Sequence, residues 1–173
     1  MGKPPKQDRT LELKCTPHKA ASGGWRIEWE ETGSNPNMPN MVDKDGNIDL
    51  KKMPNQAKFT NRIDITITLD TSAMMALDPP VTGSWSTQSD GKVGSFCWFG
   101  ADEHGHYDPA KPITVPDLLP RRLSDTVMVI DDQRELSGPS YGFALSVELG
   151  GGENGKITID PMLSSKGVGG DGR

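Results

Sequence analysis

The stretch Ile63-Asp64-Ile65-Thr66-Ile67-Thr68-Leu69-Asp70 alternates large apolar and polar residues without a break. A period of two puts Ile63, Ile65, Ile67 and Leu69 on one face and Asp64, Thr66, Thr68 and Asp70 on the other. That is the mark of a strand with one buried side. Three isoleucines and two threonines favour an extended backbone, because branching at Cβ restricts χ1 in a helix. The segment predicts a strand deep in the domain.

Upstream, Leu11-Glu12-Leu13-Lys14-Cys15 and Trp25-Arg26-Ile27-Glu28-Trp29-Glu30 repeat the same alternation. Pro17 to Gly24 supplies loop residues between them, so an antiparallel pair is expected. Trp25, Ile27 and Trp29 share its apolar face, which predicts core packing. Downstream, Ser72 to Leu77 offers one helical turn, with Thr71 or Ser72 as cap and Pro79-Pro80 as its end. Val93 to Phe99, centred on Phe96-Cys97-Trp98-Phe99, reads as a strand buried on both faces. Thr126-Val127-Met128-Val129-Ile130 is another buried strand. Tyr141 to Leu149 alternates throughout, then Gly150-Gly151-Gly152-Glu153-Asn154-Gly155 turns the chain into Lys156-Ile157-Thr158-Ile159-Asp160 as its hairpin partner.

Two long polar stretches interrupt this pattern. Residues 33–62 are rich in Pro and Asn, with a tight turn at Asp45-Gly46 flanked by Met41-Val42 and Ile48. Residues 100–120 carry four prolines. Loops this long are either functional or disordered, and these two are the places where activity is expected.

Composition agrees with a β-rich reading. The chain has 173 residues, 33% hydrophobic, with 20 Gly and 14 Pro, too many breakers for a mostly helical protein. The expected organisation is an N-terminal arm at 1–8, one domain at 9–163 and a Gly-rich tail at 164–173. The expected fold is an all-β antiparallel β-sandwich of seven to eight strands with two long loops. Its final third resembles the E, F and G strands of immunoglobulin-like domains. The resemblance rests on a strand at 126–130, a turn with Asp131, Asp132, Gly138 and Pro139, a strand opening with Tyr141, and a hairpin to the last strand. It implies an immunoglobulin-like order of strands over this region, and a Tyr141 hydroxyl bonded to upstream backbone.

Charge and targeting signals narrow the function classes. A net charge of −5, with Arg121-Arg122 as the most basic step, argues against nucleic acid. No run of about 18 apolar residues exists to span a membrane. The charged start Met1 to Arg9 leads into no apolar stretch, so the chain is expected in the cytoplasm. Cys15 and Cys97, each in a strand-like run, are expected to be buried thiols there, although the sequence leaves open whether they pair.

Candidate chemistry is sparse. Asp102-Glu103-His104-Gly105-His106-Tyr107-Asp108 could hold a metal if the two histidines shared a strand face, with carboxylates completing the shell. Cys97 upstream of His104 is similar to the ligand loop of cupredoxins, but no Met follows at the expected short spacing and no separate partner His is well placed except His18. An exposed polar loop explains these residues more simply. Asp43-Lys44-Asp45-Gly46-Asn47-Ile48-Asp49 starts like a calcium loop, yet Ile48 and Pro54 stand where an EF-hand needs Gly and Glu. A turn on Asp45-Gly46-Asn47 accounts for it. No nucleophile elbow, catalytic triad or phosphate loop is present, and the carboxylate pairs Asp102–Glu103 and Asp131–Asp132 form no recognisable acid/base pattern. Trp25, Trp29, Trp85, Trp98 and Tyr107 could make a sugar-stacking platform, with Trp85 expected to be the exposed one.

The sequence therefore predicts a binding or assembly module, not an enzyme, with no cofactor, no catalytic residue and no assigned metal ligand. Its partner is expected to be a protein or small ligand, with self-association through strand edges open. A metal-binding protein using the 102–108 loop and a carbohydrate-binding module are the alternatives.

Overall fold

The computed structural model describes residues 5–37, 39–50, 58–87, 92–100, 111–133 and 141–164. Nearly every element in them is a strand. They are β1 (Gln7–Lys19), β2 (Trp25–Asn35), β3 (Ile48–Asp49), β4 (Phe59–Leu69), β5 (Val81–Trp85), β6 (Cys97–Phe99), β7 (Leu118–Arg122), β8 (Val127–Asp132), β9 (Tyr141–Gly151), β10 (Gly155–Ile159) and β11 (Met162–Ser164). The four-residue helix α1 (Ser72–Met75) joins β4 to β5. Among the described residues no helix is long and apolar enough to cross a membrane.

The first sheet has the order β2-β1-β4-β8-β7. The alternating segment at its centre behaves as its pattern requires: Ile63, Ile65, Ile67 and Leu69 are buried, while the polar residues between them reach the outer face. The second sheet is built on β9. Leu145 of β9 faces Ile159 of β10 on one side and Cys97 of β6 on the other. β5 lies on the β6 side, so that Val147 is flanked by Ile157 and Trp85. β11 continues the line of β10 past Pro161, whose carbonyl accepts from the Phe143 amide. β3 closes the sheet beside β11.

One apolar cluster draws on both sheets. Leu11, Leu13, Ile65, Ile67, Met128 and Ile130 from the first meet Trp85, Phe99, Phe143, Leu145, Val147 and Ile157 from the second. Removing this much apolar surface from water is the main force holding the sheets together.

Several expectations need correction. The strand pairing is mixed, not wholly antiparallel, since β1 runs parallel to β4 and β3 parallel to β11. β2 has already carried the chain back to the end of the sheet where β1 begins, so β4, starting from that same end, runs parallel to β1. The described residues hold eleven strands where seven to eight were expected. The extra ones are short: β3 and β7 fall in stretches read as loops, β5 in Pro- and Ser-rich sequence, and β11 in a three-residue return. β1 begins at Gln7, inside the expected arm. Thr71 precedes α1 but makes no capping bond, and the Ser72 amide is instead taken by Asp70 Oδ1 at 2.9 Å.

Candidate binding surface

Among the described residues the first sheet ends on β2, an eleven-residue strand paired there on one side only. Which of its backbone groups face outward follows from the hairpin. The Ala20 amide donates to the Gly24 carbonyl at 2.8 Å, which closes the β1–β2 turn with a bonded pair. Bonded and non-bonded pairs alternate along an antiparallel ladder. Lys19/Trp25, Pro17/Ile27 and Cys15/Trp29 are therefore non-bonded pairs. Two further facts agree. Pro17 has no N–H to give to β2. The Cys15 carbonyl turns the other way and accepts from the Asp70 amide at 2.9 Å. The N–H and C=O groups of Trp25, Ile27 and Trp29 thus point out of the sheet edge.

The side chains sort by the same alternation. Trp25, Ile27 and Trp29 are half-buried and pack against the core cluster from its margin. Arg26, Glu28 and Glu30 are exposed on the outer face. Lys14 reaches Glu30 at 3.5 Å, and His18 Nε2 stands 3.4 Å from Glu28 Oε1. Arg26 has no ion pair among the described residues.

Both ends of this edge are braced. At the turn end, Lys19 Nζ donates to Glu153 Oε2 and Oε1 at 2.7 and 2.9 Å, and the Trp25 indole donates to Oε1 at 3.2 Å. Lys19 Nζ also sits 4.9 Å from the Trp25 ring centroid, within cation–π range. These bonds, Lys19's first, hold the Glu153 carboxyl below its usual range. They join the β1–β2 hairpin of one sheet to the β9–β10 turn of the other.

At the far end, the Trp29 ring lies against Gly46, so close that a Cβ built there would meet Trp29 Cε2 and Nε1. Gly46 has φ of +86°, a conformation open chiefly to glycine. The turn is tied by Asp43, whose Oδ1 accepts from the Asp45 and Asn47 amides at 2.9 Å and whose Oδ2 accepts from Asn47 Nδ2 at 3.0 Å. Burial raises the pKa of Asp43, but the bonds from Asn47 and Asp45 outweigh it and keep the group ionised below its usual range. The calcium-like run is thus an Asx turn whose leading carboxylate already serves the backbone. Glu31 Oε1, accepting from the Met41 amide at 2.9 Å, fastens this segment to β2.

The other residues singled out by sequence do not converge. Trp85, expected to be exposed, is 0% exposed, and Trp98 is 1% exposed. Trp85 belongs to the core cluster, whereas Trp98 faces the opposite side of its sheet beside Ala144. Neither can stack on a ligand with Trp25 and Trp29. Cys15 and Cys97 are buried and are not joined in a disulfide. Burial, and then the charge of Asp70, push the Cys15 thiol far above its usual value. Asp131 and Asp132 point to opposite sides of β8: Asp132 is buried, and Asp131 stands opposite Asp64 on the outer face. Burial, then that neighbouring charge, push Asp64 up. His104, His106, Asp102, Glu103, Tyr107 and Asp108 lie outside the described residues, as do Pro54 and Gly138-Pro139. Within the described residues no three His, Cys, Asp or Glu side chains are grouped to hold a metal ion.

The sequence did not reveal Lys19, at the end of β1, and Glu153, in the β9–β10 turn, as partners, since they stand 134 residues apart with no local pattern to connect them. It also missed that β2 is an edge, because an alternating strand reads the same at an edge and at a centre. No protein-family model matches this chain, and a search of curated proteins finds no significant match.

Proposed function

We propose that this protein is a binding or assembly module that works without catalysis, and that it takes its partner as an extended strand added to β2. The observation that carries this reading is the outward direction of the Trp25, Ile27 and Trp29 backbone groups along an edge that no described residue pairs with. Strand addition draws affinity from main-chain hydrogen bonds and selectivity from alternate side chains. The other edge of the same sheet is less suited, since β7 has five residues with Pro120 at its middle. Proline on an edge strand discourages pairing. β2 contains no proline.

The reading takes the two sheets as layers of an immunoglobulin-like sandwich. Their shared core supports it, as does the placement of β8 in one sheet and β9 and β10 in the other. The parallel β1–β4 pair departs from that wiring. A cytoplasmic setting belongs to the same reading, and two buried thiols that are not bridged suit a reducing compartment.

Amide exchange tests the edge directly. In dilute protein the Trp25, Ile27 and Trp29 amides should exchange far faster than those of Arg26 and Glu28, which bond to β1. If the two sets are equally protected in a monomer, the chain covers its own edge and the reading fails.

A further inference from the structure

We infer that the strand received by β2 is β2 of a second copy of this chain, paired antiparallel about a two-fold axis through Ile27. The inference rests on the reading of β2 as an open binding edge. Its partner follows from which registers the edge allows.

Outward backbone groups belong to Trp25, Ile27 and Trp29, so a bonded partner must set these positions against one another. Five two-fold registers, centred on Trp25, Arg26, Ile27, Glu28 and Trp29, do so, and the first leaves Arg26 opposite Gly24 with no charge to meet. Centred on Arg26, the strand places that guanidinium against its own copy. Centred on Glu28, it sets two carboxylates face to face. Centred on Trp29, it opposes Glu28 and Glu30. Centred on Ile27, it sets Arg26 opposite Glu28 of the second copy, and Glu28 opposite Arg26 of the second copy. Like charges directly opposite oppose pairing and unlike charges favour it. Only the Ile27 register is complementary at both positions.

The rest of the edge fits that register. Every outward N–H and C=O of Trp25, Ile27 and Trp29 finds a partner, Ile27 with Ile27 and each Trp25 with the other copy's Trp29. Those three side chains, half-buried at the margin of the core, would be covered by their counterparts. Arg26, which has no ion pair among the described residues, gains one. The charges that would guard an edge strand against foreign chains thus select a copy of the same strand. The register shift opposite Gly33 and Glu31, beside Thr32, ends the regular edge beyond the paired stretch.

Sedimentation of the purified full chain over a concentration series tests this with charge reversals. The native protein should associate to a dimer. Arg26→Glu and Glu28→Arg should each weaken the dimer roughly tenfold to a hundredfold, because each turns two attractive pairs repulsive. Mixing the two variants should restore association, since every opposed pair is then Arg with Glu. The double variant Arg26→Glu/Glu28→Arg should restore it within one chain. Both positions are exposed, and unchanged melting temperatures will show that the fold is intact. A native protein that stays monomeric at its highest soluble concentration overturns the inference, and so does a mixture no more associated than its components. In either case fast exchange at Ile27 leaves the open edge standing with another partner. Protection of Ile27 in a dilute monomer removes both.

Discussion

Gly46→Ala is expected to destabilise the protein out of proportion to one added methyl group. Two costs act at this position. A side chain at φ of +86° adopts the left-handed region, which costs an L-residue about 1–2 kcal/mol. The new Cβ would also stand far inside contact distance of Trp29 Cε2 and Nε1. Trp29 cannot simply swing away, because its ring packs against the core cluster. Overpacking of this kind costs about 1–3 kcal/mol. Together the loss should be about 2–5 kcal/mol. For a chain of this length that lowers Tm by roughly 4–20 °C. Urea unfolding followed by tryptophan fluorescence measures it, and Trp29→Ala separates the two causes. With the ring gone, Gly46→Ala should cost only the backbone part, about 1–2 kcal/mol. A loss under about 0.5 kcal/mol, the scatter of ordinary surface changes, would refute the packing described for Gly46. So would an equal loss in both backgrounds.

Two further predictions concern titratable groups. Asp64 is pushed above its ordinary value, first by burial and then by Asp131, so its ionised form opposes folding. Asp64→Asn should raise stability at pH 7 by a few tenths to about 1 kcal/mol, a range set by solvent screening on this outer face. The gain should fade as pH falls through the carboxylate range, where Asp64 holds its proton and no longer opposes folding. Thermal melts at several pH values measure this, and a loss of stability at pH 7 would contradict it. Cys15 and Cys97, both buried, should resist alkylation in the native protein and react fully in denaturant. Fast labelling of either in the folded state would contradict the packing described here.

How much was legible in the sequence depends on how local each signal is. The run from Ile63 to Asp70 and the Trp25 to Glu30 alternation need only their own residues to declare a buried face, and both became strands with that face inward. The Gly-rich turn at 150–155 likewise announced the β9–β10 hairpin. Parallel pairing of β1 with β4 has no local signature. It depends on which strand the chain settles beside after β2, and residues 33–62 read as a loop whichever strand that is. Trp85 shows the same limit from another side. Its serine neighbours suggest exposure, yet β5 is drawn against β9 and carries the ring into the core. The binding edge lay in plain sight as residue types but not as an edge. Its orientation came from the Ala20–Gly24 bond, Pro17 and the Cys15 carbonyl read together.

Amide exchange of Trp25, Ile27 and Trp29, compared with Arg26 and Glu28 in dilute and in concentrated protein, tests the central claim most directly. Fast exchange is expected at the first three in dilute solution, and protection of those same three on concentration. Arg26 and Glu28 should stay protected throughout. Protection of all five in a dilute monomer would contradict it.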